Sequence, residues 1–429
     1  MGCSSMFEKK ETSQKRDNTG KNPEETAKIN NNVDDQKEAQ TKNDNTSKNQ
    51  KETEKKEKSV PSQKAKNPKE VEYDKIVNYE YQSVPNFKYE LDIKDTENNG
   101  GINCFEVYIS FKDNKAYIAS ISTVRVNIFS ITDNKKVHSF VQEKAHITMI
   151  KYYLNRKNYK EYLVTGDGKG FIFIYDINDN YNITFSFELV PDANCLVPIY
   201  GCMLIFPQNS EENYLVGSAN TGNSIPDFNS VTAIFSAETG NSIRVINNSK
   251  KEGVYNIMEW HNKKNKKYYI IQFTSKKILI NNLLEEELYC TFVNDKKYTF
   301  PFPLPNDYHC GVLYDKGDTE YLFSSCFNGD ISVHDLYNKS LVRTIENAPY
   351  CGSTVNMMVK WNNKYIIAND FIKNTFKVVD IEQNKFISDI TDEHIKIVMV
   401  IQKIKHPTYG EALISSGDDK IIKLWTIKK

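Results

Sequence analysis

From about Tyr73 onward, apolar residues fall in short runs separated by clusters of Asn, Asp, Gly and Lys. Within runs such as "VRVNIFSI" polar and apolar residues alternate, the period of a strand and not of a helix. One unit recurs. A polar turn leads into an apolar run in "DNKAYIASIS", "NYKEYLVTGD", "SEENYLVGSA", "KNKKYYIIQF", "KGDTEYLFSS", "NNKYIIAND" and "YGEALISSGD", as the second strand of a hairpin does. A further strand follows each copy, and its equivalent positions are Phe129, Tyr175, Phe235, Asn281, His334, Val379 and Trp425. The intervals between them are 46, 60, 46, 53, 45 and 46 residues, close to the roughly 40–50 residues of a four-stranded propeller blade. The pattern therefore predicts an all-β, seven-bladed β-propeller over residues 73–429.

Upstream runs supply a first strand to every unit, but downstream runs supply a fourth to only six. The missing one is expected from "FKYELDI", residues 87–93, which lies ahead of the first blade. An N-terminal strand completing the last blade closes the ring, removes a bare sheet edge and accounts for a chain that stops just after "LWTIKK".

The last repeat carries the most specific residues. "ISSGDDKIIKLWTI" (414–427) resembles the C-terminal half of a WD repeat, with Trp425 at the family tryptophan, Asp419 at the turn aspartate and His394 at the upstream histidine. The resemblance implies a blade-bracing set of His, Asp, Ser/Thr and Trp, in which Ile421 takes the Ser/Thr position and leaves the set incomplete. "TGDGKGFIFIYDI" keeps Tyr175-Asp176 in place of Trp-Asp, with His146 upstream, and "SSCFNGDISVHDL" has Asn328 and His334 at the two key positions. His146, His394, Asp419 and Trp425 are thus read as structural braces; a hydrogen-bonded brace suits this setting better than an acid–base pair.

Residues 1–70 have another composition. Lys, Glu, Asn, Gln, Ser and Thr dominate, as in "NNNVDDQKEAQTKNDNTSKNQKETEKKEKS", and so few apolar side chains cannot offset the entropy of ordering. This tail is expected to be a disordered tether of mixed charge. Over the whole chain 56 basic residues balance 56 acidic ones, so nothing global favours nucleic acid. There is neither a membrane-spanning run nor the apolar core of a secretory signal.

Candidate chemistry is sparse. The eight cysteines form no Cys-x-x-Cys pair, which argues against a zinc site, and no calcium loop, phosphate-cradling loop or nucleophile elbow is present. The expectation is a non-enzymatic protein-interaction scaffold without cofactor or metal. Partner contacts are expected on loops: Asp227 and Phe228 in the insertion "ANTGNSIPDFN", Tyr308 and His309 at the end of "YTFPFPLPNDYH", and Tyr350 in "ENAPYCGS". A propeller enzyme with a site at the channel mouth is the alternative of another class.

The chain starts Met-Gly-Cys. Gly2 exposed after loss of Met1 is the substrate of N-myristoylation, and Cys3 beside it is placed for palmitoylation, although Met6 stands where the common pattern has Ser or Thr. Two acyl chains hold a membrane where one does so only marginally. The start resembles that of dually acylated proteins, which implies attachment to the cytoplasmic face of a membrane; a soluble cytosolic scaffold is the reading without lipid.

Overall fold

Each alternating run forms a strand, and each tight polar turn returns the chain antiparallel, so the fold is a series of four-stranded meanders. The computed structural model describes residues 67–81, 83–94, 104–142, 145–190, 197–207, 210, 212–221, 229–248, 252–293, 307–326, 330–346, 358–370, 375–390, 394, 398–417 and 419–428. They belong to one compact unit, Asn67–Lys429.

Among the described residues, helix α1 (Pro68–Val77) and strand β1 (Phe87–Lys94) precede the blades. Blade 1 is β2 (Phe105–Ile109), β3 (Ala116–Ser122), β4 (Arg125–Ser130) and β5 (Lys135–Val141). Blade 2 is β6 (Ile147–Asn155), β7 (Lys160–Asp167), β8 (Phe171–Asp176) and β9 (Asn182–Glu188). Blade 3 is β10 (Ile199–Ile205), β11 (Tyr214–Thr221), β12 (Asn229–Ser236) and β13 (Ser242–Asn247). Blade 4 is β14 (Val254–His261), β15 (Tyr268–Thr274), β16 (Lys277–Asn282) and β17 (Leu288–Val293). Blade 5 is β18 (Tyr308–Lys316), β19 (Thr319–Cys326), β20 (Ile331–Asp335) and β21 (Ser340–Ile345). Blade 6 is β22 (Met358–Lys360), β23 (Tyr365–Asp370), β24 (Thr375–Asp380) and β25 (Lys385–Ile390). Blade 7 is β26 (Val398–His406), β27 (Gly410–Gly417) and β28 (Ile421–Ile427), with β1 as its outer strand.

The ladder from Phe87↔Ile427 to Lys94↔Ile421 is the closure that the missing fourth strand predicts. The seven positions aligned by sequence are also equivalent in register. In blades 1–6 the ladder between third and fourth strands shifts immediately before Phe129, Tyr175, Phe235, Asn281, His334 and Val379. In blade 7 the same shift falls between Tyr89 and Leu91, opposite Trp425 and Leu424. A bulge there sharpens the twist of each outer strand at one height around the ring.

No single core fills the centre. Apolar side chains gather into seven clusters, one at each interface between neighbouring blades. Ile121 and Ile128 of blade 1 meet Leu163 and Phe173 of blade 2, for example, and Trp361 of blade 6 meets Leu413 and Trp425 of blade 7. The two middle strands are buried on both faces, so they read as nearly continuous apolar runs. Two glycines show how closely neighbouring blades approach. A Cβ on Gly201 would stand 2.7 Å from Ile257 Cγ1 and 3.0 Å from the Ile257 backbone nitrogen; on Gly311 it would stand 2.7 Å from the Phe273 ring.

The unit begins before the expected boundary near residue 73, with a helix that strand periodicity does not announce. Its signals are local. Asn67 caps it by accepting the Glu70 N–H at 2.7 Å, and Pro68 opens the first turn.

Gly201→Ala is expected to destabilise the unit by about 1–3 kcal/mol, because Ile257 is held by its own strand and cannot retreat freely. Denaturant unfolding of the two proteins checks it; an unchanged midpoint would mean that blades 3 and 4 are not packed as described.

Candidate functional site

In a four-stranded meander the first and third turns lie at one end of the sheet, and the second turn and the connection to the next blade lie at the other. The propeller thus has a turn face and a connection face. Polar side chains brace the blades behind the connection face. In blade 7 the Trp425 indole N–H donates to Ser415 Oγ at 2.8 Å, Ser415 Oγ lies 2.8 Å from His394 Nε2, and His394 Nδ1 lies 2.7 Å from Asp419 Oδ2. The His394 and Asp419 side chains are wholly buried. Trp425 can only donate, so Ser415 Oγ accepts from it, and the two ring nitrogens of His394 link Ser415 to Asp419. Asp419 Oδ1 also accepts the Ile421 N–H at 3.1 Å. The hydroxyl of the set is Ser415, so the set is complete and the assignment of that position to Ile421 is corrected. Leu413 faces Trp425 across the ladder, and a residue two places along shares its face.

Blade 2 has the same frame with different residues. Gln142 Oε1 accepts the hydroxyls of Thr165 at 2.6 Å and Tyr175 at 3.1 Å, and its Nε2 donates to Asp167 Oδ2 at 3.3 Å. Asp167 Oδ1 accepts the N–H groups of Lys169 and Phe171, both at 2.9 Å. His146, expected to be the brace, is exposed and offers only its backbone carbonyl to the Gly168 N–H; Gln142 performs its role. Blade 4 uses amides: Asn281 donates to Gln272, and Gln272 to Thr232 of blade 3, each at 2.7 Å. In blade 5 His334 is buried, stacked on Phe292 at 4.2 Å, and neither ring nitrogen has a hydrogen-bond partner among the described residues.

The residues expected to meet partners divide sharply. Tyr308 and His309 are 1% and 3% exposed and open the first strand of blade 5, which corrects their placement on an exposed loop. Tyr308 packs in the interface between blades 4 and 5. The His309 ring lies 4.6 Å from that of Tyr255, whose hydroxyl donates to Asp307 Oδ2 at 2.7 Å. Burial drives His309 down to about 3 and Asp307 up to about 6. Gly2, Cys3, Asp227, Phe228 and Tyr350 lie outside the described residues.

Sequence periodicity gave no sign of the N-terminal arm on the turn face. Tyr73, the buried residue of α1, donates its hydroxyl to the Ile109 carbonyl at 3.0 Å, and Arg156 pairs with Asp74 at 2.7 Å. The segment after the helix continues across blade 7 to blade 6. Tyr79 donates to Glu411 at 3.1 Å, Tyr81 packs on Trp361 at 4.3 Å between ring centres, and the Trp361 indole donates to the Ser83 carbonyl at 3.1 Å. A cavity of about 240 Å³ lies between this arm and the inner strands of blades 7, 1 and 2.

Two carboxylates tie neighbouring blades together. Glu106 accepts from Lys151 at 3.3 Å and from Gln402 at 2.9 Å, linking blades 1, 2 and 7. The buried Glu161 accepts the Phe111 N–H at 2.8 Å, the Lys112 N–H at 3.2 Å and the Tyr152 hydroxyl at 3.0 Å. Cys104, Cys202, Cys290, Cys310 and Cys326 are free thiols, and burial raises the first three. Among the described residues no group of three or more His, Cys, Asp or Glu side chains is placed to hold a metal ion. No protein-family model matches this chain, and no curated protein matches it.

Gln142→Leu should cost about 1–3 kcal/mol, since it strips partners from three buried groups, while His146→Ala should stay within about 0.5 kcal/mol; the reverse order in chemical unfolding would restore His146 as the brace. Burial takes His334 from the ordinary 6.5 down to about 4. The unfolded chain therefore binds a proton that the folded one refuses, and stability is lost as pH falls from about 6.5 to about 4, by at most about 1.4 kcal/mol per pH unit. His334→Phe should flatten this part of the stability–pH curve; unchanged acid sensitivity would refute the assignment.

Proposed function

We propose that this chain is a non-enzymatic docking platform of divergent WD-type repeats, held at the cytoplasmic face of a membrane by acyl groups on Gly2 and Cys3. The observation that carries the platform reading is the use of the two faces. The N-terminal arm occupies the turn face from blade 2 to blade 6, and the chain enters the propeller there. The connection face is where the second turns and the interblade connections belong; the proposed partner contacts are Asp227 and Phe228, between β11 and β12 of blade 3, and Tyr350, between blades 5 and 6, all outside the described residues. Loops on a rigid ring are where binding residues concentrate.

Several buried polar groups support a non-catalytic reading, because they bind one another or backbone groups across strands and blades. Gln142, His394, Asp419 and Glu161 are all engaged in this way. The set of His394, Ser415, Asp419 and Trp425 favours repeats of WD type. The balanced charge gives no basis for nucleic acid as a partner.

The anchor rests on the Met-Gly-Cys start and the polar composition of the residues behind it. Gly2→Ala should move the protein from the membrane to the soluble fraction. The intact mass of wild-type protein from its own cells should show a myristoyl increment and a second, hydroxylamine-labile one. Membrane recovery unchanged by Gly2→Ala, or an unmodified N-terminus, would leave a soluble scaffold of the same fold.

A further inference from the structure

The cavity under the N-terminal arm has a chemistry that the platform reading does not use. Its walls are aromatic and aliphatic, from the arm on one side and the inner strands on the other, and Tyr81, Tyr108 and Ile404 in them are buried. Lys403 and Lys405 also line it. They are two positions apart on β26 and so share a face of that strand. Neither is ion-paired among the described residues. The Lys403 ammonium lies 5.0 Å from the centre of the Tyr81 ring and that of Lys405 4.4 Å from the Tyr79 ring. The Tyr81 hydroxyl has no hydrogen bond among the described residues either.

Two carboxylates stand nearby. Glu411 accepts the Tyr79 hydroxyl, and Glu80 is exposed on the arm; neither forms an ion pair with the two lysines. The cavity therefore has at its edge two ammonium groups without a carboxylate partner among the described residues, Lys403 exposed and Lys405 half-buried, beside an apolar floor. Cation–π contact compensates such ammonium groups only in part. Crowding by protein and the neighbouring charge of Lys360 pull Lys403 down to about 8, with Glu80 opposing; an anion beside the ammonium acts in the opposite direction.

We propose that this cavity binds a small amphiphilic oxyanion, its apolar body between the arm and the inner strands and its carboxylate or phosphate between Lys403 and Lys405. The volume, about 240 Å³, is below the usual range for drug-sized ligands, so the occupant is a short-chain or single-ring acid. Because the wall is shared, the ligand bridges the arm and the ring and tightens the attachment of α1. The site stands independently of acylation and of any partner on the connection face.

The test is calorimetric titration of the full-length protein with octanoate, octyl phosphate and octanol. Saturable binding of at least one anion, at least tenfold tighter than octanol, is expected, and the tighter of the two identifies the preferred head group. The double variant Lys403→Gln, Lys405→Gln should weaken the anion at least tenfold. Ile76→Trp, which fills the cavity and keeps both lysines, should also abolish binding. Circular dichroism shows that each variant is folded. Equal affinity for octanol, no binding of either anion, or full binding by a folded variant of either kind would overturn the proposal.

Discussion

Closure of the ring is the constraint on which the rest depends. The apolar surface of this molecule is divided among seven blade interfaces, none of which is a core by itself. Each blade is stable because both its neighbours are present, and the arrangement has no free end only when the first and last segments share a sheet. The pairing of β1 with β28 provides this. It converts two bare strand edges into an ordinary ladder. It also fixes where the arm must run, since residues 78–86 lead directly into β1, and the Lys428 N–H returns to the Asn86 carbonyl at 2.7 Å.

Around the closed ring, geometry is held more tightly than chemistry. The same bulge recurs at one position of every blade, yet the residue there is Phe, Tyr, Phe, Asn, His, Val or Trp. Where it is Trp or Tyr, a hydroxyl and a His or Gln complete a polar brace; where it is Asn, the brace extends into the preceding blade; where it is His, the ring stacks on Phe292 of the preceding blade. Neighbouring blades are joined by backbone carbonyls as well. Arg244 and Arg343, equivalent outer-strand residues, bond the Asn282 and Ile381 carbonyls of the following blade. A carbonyl is available at every turn whatever the side chain, so such a latch survives sequence drift.

The same reasoning explains what could be read in advance. Strand number, blade number and the closing strand follow from alternation and spacing, which depend on many residues at once. Individual brace members depend on one side chain each and were less legible. Motif spacing, which counts along the chain, points to Ile421 as the hydroxyl position, whereas Ser415 reaches Trp425 across the ladder. Residue type points to His146 as a brace, but Gln142 fills that role because an amide offers both an acceptor and a donor. Tyr308 and His309 look like a loop terminus in sequence, but the strand begins at Tyr308 and buries both. The arm has no sequence signature because it makes its contacts through isolated tyrosines, Tyr73, Tyr79 and Tyr81, without a period. Its cap, Asn67-Pro68-Lys69-Glu70, was the one local sign.

The pairing of β1 with β28 also has a consequence in time. A ribosome completes Phe87 long before Ile427, and at about 5–20 residues per second the interval is roughly 20–70 s. Throughout it the six intermediate sheets can form as they emerge, but β1 has no partner and the ring stays open. Its alternating face must remain out of the wrong sheet for that period, and the strongly polar stretch ahead of it, the most soluble part of the chain, is the segment attached to it while it waits.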